Sequence, residues 1–158
     1  MRSYIEQWIE EFVSVHNEAL NSVPCPYARS ALIKYLDTDN VGQSLADTLQ
    51  NWQDDAHVVV IYTATTNYTP EELQTIVKQF NSVSMREDIV ALEDHPNDPE
   101  IINGVKMNFG KCILVLVQRL SVINRKSEWL RAEGYYDNWS EENLDDVVNW
   151  RFNSRFVK

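Results

Sequence analysis

Three features of the sequence predict an α+β fold, an α/β sandwich in which a small mixed sheet of about four strands is covered by about five helices. Short apolar, β-branched runs recur along the chain, Val58-Val59-Val60-Ile61-Tyr62 being the strongest. Segments of helical periodicity separate most of them. Thr69-Pro70-Glu71-Glu72 combines a cap, a proline at the first helical position and a glutamate at the third, which fixes a helix start between two of the runs.

Taken in order, residues 4–21 place Ile5, Ile9, Phe12, His16 and Leu20 on one stripe, widened by Trp8 and Val13, with Glu6, Glu10, Glu11 and Glu18 elsewhere. This predicts an amphipathic helix with a histidine on its inward face. Pro24 and Pro26 forbid its continuation and bias Val23 and Cys25 towards extended backbone. Residues 31–36 read as a short strand, although Ala, Leu and Lys also suit a helix. Thr38, Asp39 and Asn40 offer caps for a helix over residues 40–54, in which Val41, Leu45, Leu49 and Trp52 keep helical spacing. The run 58–62 is apolar without alternation, as a central strand covered on both faces would be.

The capping box opens a helix through Leu73, Ile76, Val77 and Phe80. Residues 89–92 and 112–119 supply the third and fourth strands. The 19 residues between them, 93–111, hold two prolines and two glycines. Such a length points to a functional loop or a β excursion, and Asn103-Gly104 suits a hairpin turn. Ser121 caps a helix to Glu133, which Gly134 closes. Ser140 caps a last helix containing Leu144, Val147, Val148 and Trp150, and residues 151–158 form a basic tail. No repeat or linker interrupts the chain, so residues 1–158 are expected to form one domain, ferredoxin-like in layout.

If right-handed crossovers join the first three strands they run parallel, and the fourth returns antiparallel. Cys25, Tyr27, Arg29 and His57 then lie where those strands begin. Asp37, Asp39, Thr63, Thr65, Thr66, Asn67, Glu93, Asp94, His95, Asn108 and Lys111 lie where they finish, the end that ligands of open α/β sheets favour. His57 and His95 are therefore not expected to share a metal.

Charge removes some functions. Acids exceed bases by 17 to 7 over residues 1–118 and balance at 7 each over residues 119–158, for a net charge of −10. An acidic body repels phosphate backbones, so nucleic-acid binding is not expected. No apolar run approaches the roughly 18 residues of a membrane helix, and Glu6, Glu10 and Glu11 stand where a signal peptide would be apolar. These features predict a cytoplasmic protein that does not bind membranes, with Cys25 and Cys112 as thiols.

Pro24-Cys25-Pro26-Tyr27-Ala28-Arg29 holds a potentially reactive side chain in stiffened backbone. Cys25 would serve as a nucleophile or redox thiol if His16 or Arg29 lowered its pKa, with Tyr27 beside it as a binding residue. The same residues also suit a small buried hydrophobe in a turn and a core histidine. Glu93, Asp94 and His95, followed by Asp98 and Glu100, offer oxygen ligands and an imidazole for Mn²⁺, Mg²⁺ or iron, or else form a solvated acidic loop. Asn108 and Lys111, beside Gly110, would suit an anion, and His57 a ligand at the opposite pole. Cys112, entering an apolar strand, reads as structural. No residue pattern names an organic cofactor.

The run from Trp8 to Cys25-Pro26-Tyr27-Ala28 resembles the start of an uncharacterised bacterial family marked by a Trp followed by Cys-Pro-Phe-Ala. This sequence has Tyr27 for Phe and Pro24 for Leu, and lacks the family's later Asn-Arg-Ser-Pro stretch. The resemblance implies a small α/β domain and no particular activity. The acidic, Gly-poor composition also resembles that of small phage-encoded proteins. The expected function is small-molecule binding or thiol chemistry around Cys25 and His16. The alternatives are an acidic module that docks a protein partner, and a metal-dependent enzyme at residues 93–100.

Overall fold

The computed structural model describes residues 1–152. The elements, in chain order, are α1 (Arg2–Trp8), β1 (Ile33–Asp37), α2 (Val41–Gln50), β2 (Val58–Thr63), α3 (Pro70–Ser84), β3 (Ile89–Asp94), β4 (Ile101–Ile102), β5 (Val105–Lys106), β6 (Ile113–Arg119), α4 (Leu120–Ala132) and α5 (Glu141–Val147). They form an α+β fold. The chain divides into two compact units, one of Ala31–Pro99 with Asn108–Arg119, the other of Met1–Ser30, Glu100–Met107 and Leu120–Lys158.

The first of these units holds a four-stranded mixed sheet in the order β1-β2-β6-β3. β1 and β2 are parallel, and β6 is antiparallel to both β2 and β3. β1, β2 and β3 therefore share one direction, as the helical crossovers require, and β6 fills the gap between β2 and β3. The β2–α3–β3 segment is thus a split βαβ unit, the part of the ferredoxin-like expectation that holds. Odd-numbered residues of the central strands face α2 and α3. Ile61, Ile89, Ala91, Ile113, Val115 and Val117 form one buried cluster with Val41, Leu45, Leu73 and Val77. Each large aliphatic side chain buried there contributes roughly 1.5–3 kcal/mol.

Local signals place the two helices. The Asn40 side chain accepts the Gln43 N–H and opens α2. At α3 the Thr69 hydroxyl accepts the Glu72 N–H while the Glu72 carboxylate accepts the Thr69 N–H, so the capping box is complete in both directions. Asn81 then pins α3 to the sheet edge. Its amide donates to the Ala91 carbonyl at 3.0 Å and accepts the Ala91 N–H at 2.9 Å.

In the second unit the expected helix over 4–21 is shorter. α1 continues only as a π-helical turn, Ile9–Val13. The reason is Asn17, whose side chain accepts the N–H groups of Ala19 and Leu20 and whose backbone bridges Ser22. This local turn competes with helix continuation, and Asn21 completes it with φ 52°. The helix expected over 40–54 also stops early, at Gln50.

The long 93–111 connection contains the β4–β5 hairpin, with Asn103 and Gly104 at φ 51° and 80° as a two-residue turn needs. α4 starts at Leu120 straight from β6, without the expected Ser121 cap, and Gly134 closes it at φ 82°. Asn143, in the first turn of α5, donates to Glu100 and to the Ile101 carbonyl. Arg151, the first residue of the expected basic tail, is buried. Its guanidinium donates to Asn124 at 2.7 Å and to Ser127 at 2.9 Å. Desolvation lowers its pKa to about 10. Residues 153–158 of that tail lie outside the described residues.

Candidate functional site

The corner around Cys25 is held from several sides. The Cys25 amide donates to the Val13 carbonyl at 3.0 Å, and the Tyr135 hydroxyl reaches the carbonyls of both Val23 and Pro24. Tyr135, Tyr136 and Trp139 pack edge-on or tilted with centroids 4.9–5.9 Å apart, and Lys126 Nζ lies 4.7 Å from the Tyr27 ring centroid. Desolvation raises the pKa values of Tyr27 and Tyr135, and the charge of an ionised Cys25 raises both further. The thiol is free and half-buried.

His16 lies beyond the end of the helix rather than on a helical stripe. With the helix ended at Val13, His16 is exposed and makes no hydrogen bond among the described residues. Arg29 is likewise exposed. Cys112 is a buried free thiol whose pKa burial pushes up to about 11.

His57 and His95 lie at opposite ends of the sheet. His57 ties the start of β2 to the residue before β1: its ring Nδ1 accepts the Leu32 N–H at 2.9 Å while its backbone N–H donates to the Leu32 carbonyl at 2.8 Å. His95 is buried, with Nε2–H donating to the Tyr68 carbonyl at 2.8 Å and Nδ1 accepting the Asn97 N–H at 3.0 Å. These partners set the neutral Nε2–H tautomer and occupy both ring nitrogens.

Asp94 accepts from Asn108 Nδ2 at 2.7 Å and from the Phe109 N–H at 3.1 Å. Glu93, one residue earlier on the strand, projects to the other face, where Lys78 attracts it. Glu93, Asp94 and His95 are thus engaged separately. Among the described residues no three His, Cys, Asp or Glu side chains group as a metal site. Lys111 is exposed beside Gly110. The polar end of the sheet is largely an internally bonded network, in which Asn67 also donates to Thr63 and Tyr68 accepts the Val41 N–H.

A defined concavity lies at the end where β1 and β2 begin. It is a half-open pocket of about 210 Å³ beside the carboxyl end of α2. Tyr35, Leu36, Trp52, Ala56 and Val59 give it apolar walls, and Lys34, Thr48, Asn51, Gln53 and Asp55 its polar ones. Lys34 and Leu36 pair with Val59 and Ile61 and so share the face that α2 covers.

The pocket's walls are fixed by bonds outside it. Trp52 Nε1–H donates to Asp54 at 2.7 Å, and Arg119 clamps the same carboxylate through two bonds of 2.7 and 2.6 Å. The Arg119 and Trp52 hydrogen bonds hold the Asp54 carboxyl down to about 2. Asp54 itself is left-handed, φ 56°, which turns the chain out of α2 and back into β2. Lys34 is ion-paired with Asp55 and lowers its pKa. The Thr48 hydroxyl donates to the Ser44 carbonyl and the Asn51 amide to the Asp47 carbonyl, which leaves an acceptor oxygen on each.

Sequence reading missed this pocket because periodicity assigns Trp52 to the apolar stripe of α2. The available signal was Asn51-Trp52-Gln53-Asp54-Asp55, an indole inside a wholly polar run. No family model, curated protein or solved structure matches the chain, so the site is read from its own residues.

Proposed function

We propose that this protein binds a small molecule in the pocket between α2 and the start of β1. The observation that supports the reading most is the locked indole of Trp52 in a concavity where apolar walls and unsaturated polar groups converge, the usual make-up of a ligand site. Preorganisation favours binding because less side-chain freedom is lost when the ligand arrives. The Cys25 corner supports thiol chemistry less well, since His16 and Arg29 are exposed and, among the described residues, no bond from either to the sulfur supports an activated thiol.

The test is a ligand-observed magnetic resonance screen of small polar compounds, repeated on Thr48→Phe, which fills the pocket from α2. Saturable binding that Thr48→Phe abolishes, with its circular dichroism unchanged, is expected. Absence of binders, or binders indifferent to Thr48→Phe, would overturn the reading.

A further inference from the structure

Resting on that proposed pocket, we infer that its ligand is an uncharged polyhydroxylated ring of monosaccharide size, a pyranose lying against Trp52. Size is the first argument. At about 210 Å³ the pocket falls below the roughly 300–1,000 Å³ of sites for drug-sized ligands, so one ring fits and a dinucleotide does not.

Charge is the second argument. Lys34 and Asp55 are the pocket's only charged lining residues and they neutralise each other. A ligand anion would have to displace Asp55 from Lys34 against a chain of net charge −10. A ligand cation would meet the Lys34 ammonium, and the Trp52 ring already has the Arg119 guanidinium 5.9 Å from its centroid. A neutral ligand breaks nothing.

The third argument is the hydrogen-bond inventory. Thr48 donates its one hydroxyl proton to the Ser44 carbonyl and Asn51 one amide N–H to the Asp47 carbonyl, so Thr48 Oγ1 can accept and Asn51 can accept at Oδ1 and donate its second N–H; Asp55 accepts, Lys34 donates, and the Gln53 amide does both. Donors and acceptors are both present and interleaved. Hydroxyl groups, each able to donate and accept after rotation, meet such a set. The edge of a nucleobase presents a fixed pattern of donors and acceptors, which cannot rotate to meet such a set. Leu36, Ala56, Val59 and the indole are left for the apolar C–H face of a sugar.

The experiment measures saturation transfer to methyl hexopyranosides (gluco, galacto and manno) with the full-length protein. Glucosamine, glucuronate and uridine serve as cationic, anionic and heterocyclic comparators. At least one neutral hexopyranoside should bind saturably, at least tenfold more tightly than its charged counterparts, and Gln53→Ala should weaken it about tenfold, as loss of a bond to a polar ligand does. Trp52→Leu should abolish the transfer, and Gln53→Ala and Thr48→Phe keep the test valid if that variant misfolds. Uridine or a charged sugar binding in a Thr48→Phe-sensitive way, with neutral pyranosides silent, would overturn the sugar inference and leave the pocket reading standing. No binding in any arm or in the wider screen would overturn both.

Discussion

Glu93 shows how one residue's surroundings override its type. It follows Ile89 and Ala91 on the face of β3 that packs on the helices; the residue is exposed as a whole, yet desolvation of its carboxyl raises the pKa, with Lys78 acting in the opposite direction. An acid whose folded pKa exceeds its unfolded value contributes stability at low pH and loses it as pH rises through the folded pKa. Glu93→Gln should therefore raise the thermal midpoint relative to the parent at pH 7, and the gap should close towards pH 4. An equal gap at both values would show that desolvation does not govern this carboxyl. The sequence marked Glu93 as acidic loop, because proximity of the α3 lysine depends on the fold.

At the scale of elements, the joint between α3 and β3 carries more than either helix propensity or strand pattern. β3 is an edge strand of the sheet, and Asn81 satisfies both backbone groups that Ala91 turns away from β6. Asn81→Ala would leave a buried N–H and a buried C=O unmet, at a cost of about 2–4 kcal/mol. Denaturant midpoints of Asn81→Ala and of the neighbouring exposed Ser82→Ala measure this; a loss no larger than that of Ser82→Ala would refute the role. The start of α3 was legible, since Thr69, Pro70 and Glu72 act within one turn of chain. The end of the first helix was not. Asn17 and Asn21 read as tolerable helix residues until the Asn17 side chain is seen holding the turn that stops it.

For the whole molecule, net charge is the property that no single contact describes. At −10, self-repulsion opposes the folded state and salt relieves it, because the screening length falls from about 30 Å at 0.01 M to about 10 Å at 0.1 M. The thermal midpoint should rise by about 2–4 °C between 10 and 300 mM KCl, which corresponds to about 1 kcal/mol for a chain of this size. A fall would mean that pairs such as Arg119–Asp54 outweigh the net charge. No helix of the described residues is long and apolar enough to cross a membrane.

The sequence by itself determined three of the four main strands, the capped start of α3 and the glycine turns, because periodicity, caps and positive φ are short-range properties; it left residues 31–36 between strand and helix, and the crossover rule supplied the strand directions. It also separated His57 from His95, since parallel strands have distinguishable ends. Only the tertiary structure decided that His16 faces solvent away from any apolar stripe, that both nitrogens of His95 are taken by backbone, and that Trp52 leaves α2 to wall a pocket with Lys34 and Asp55. Those outcomes depend on which distant groups satisfy each polar atom, and spacing along one chain does not encode that directly.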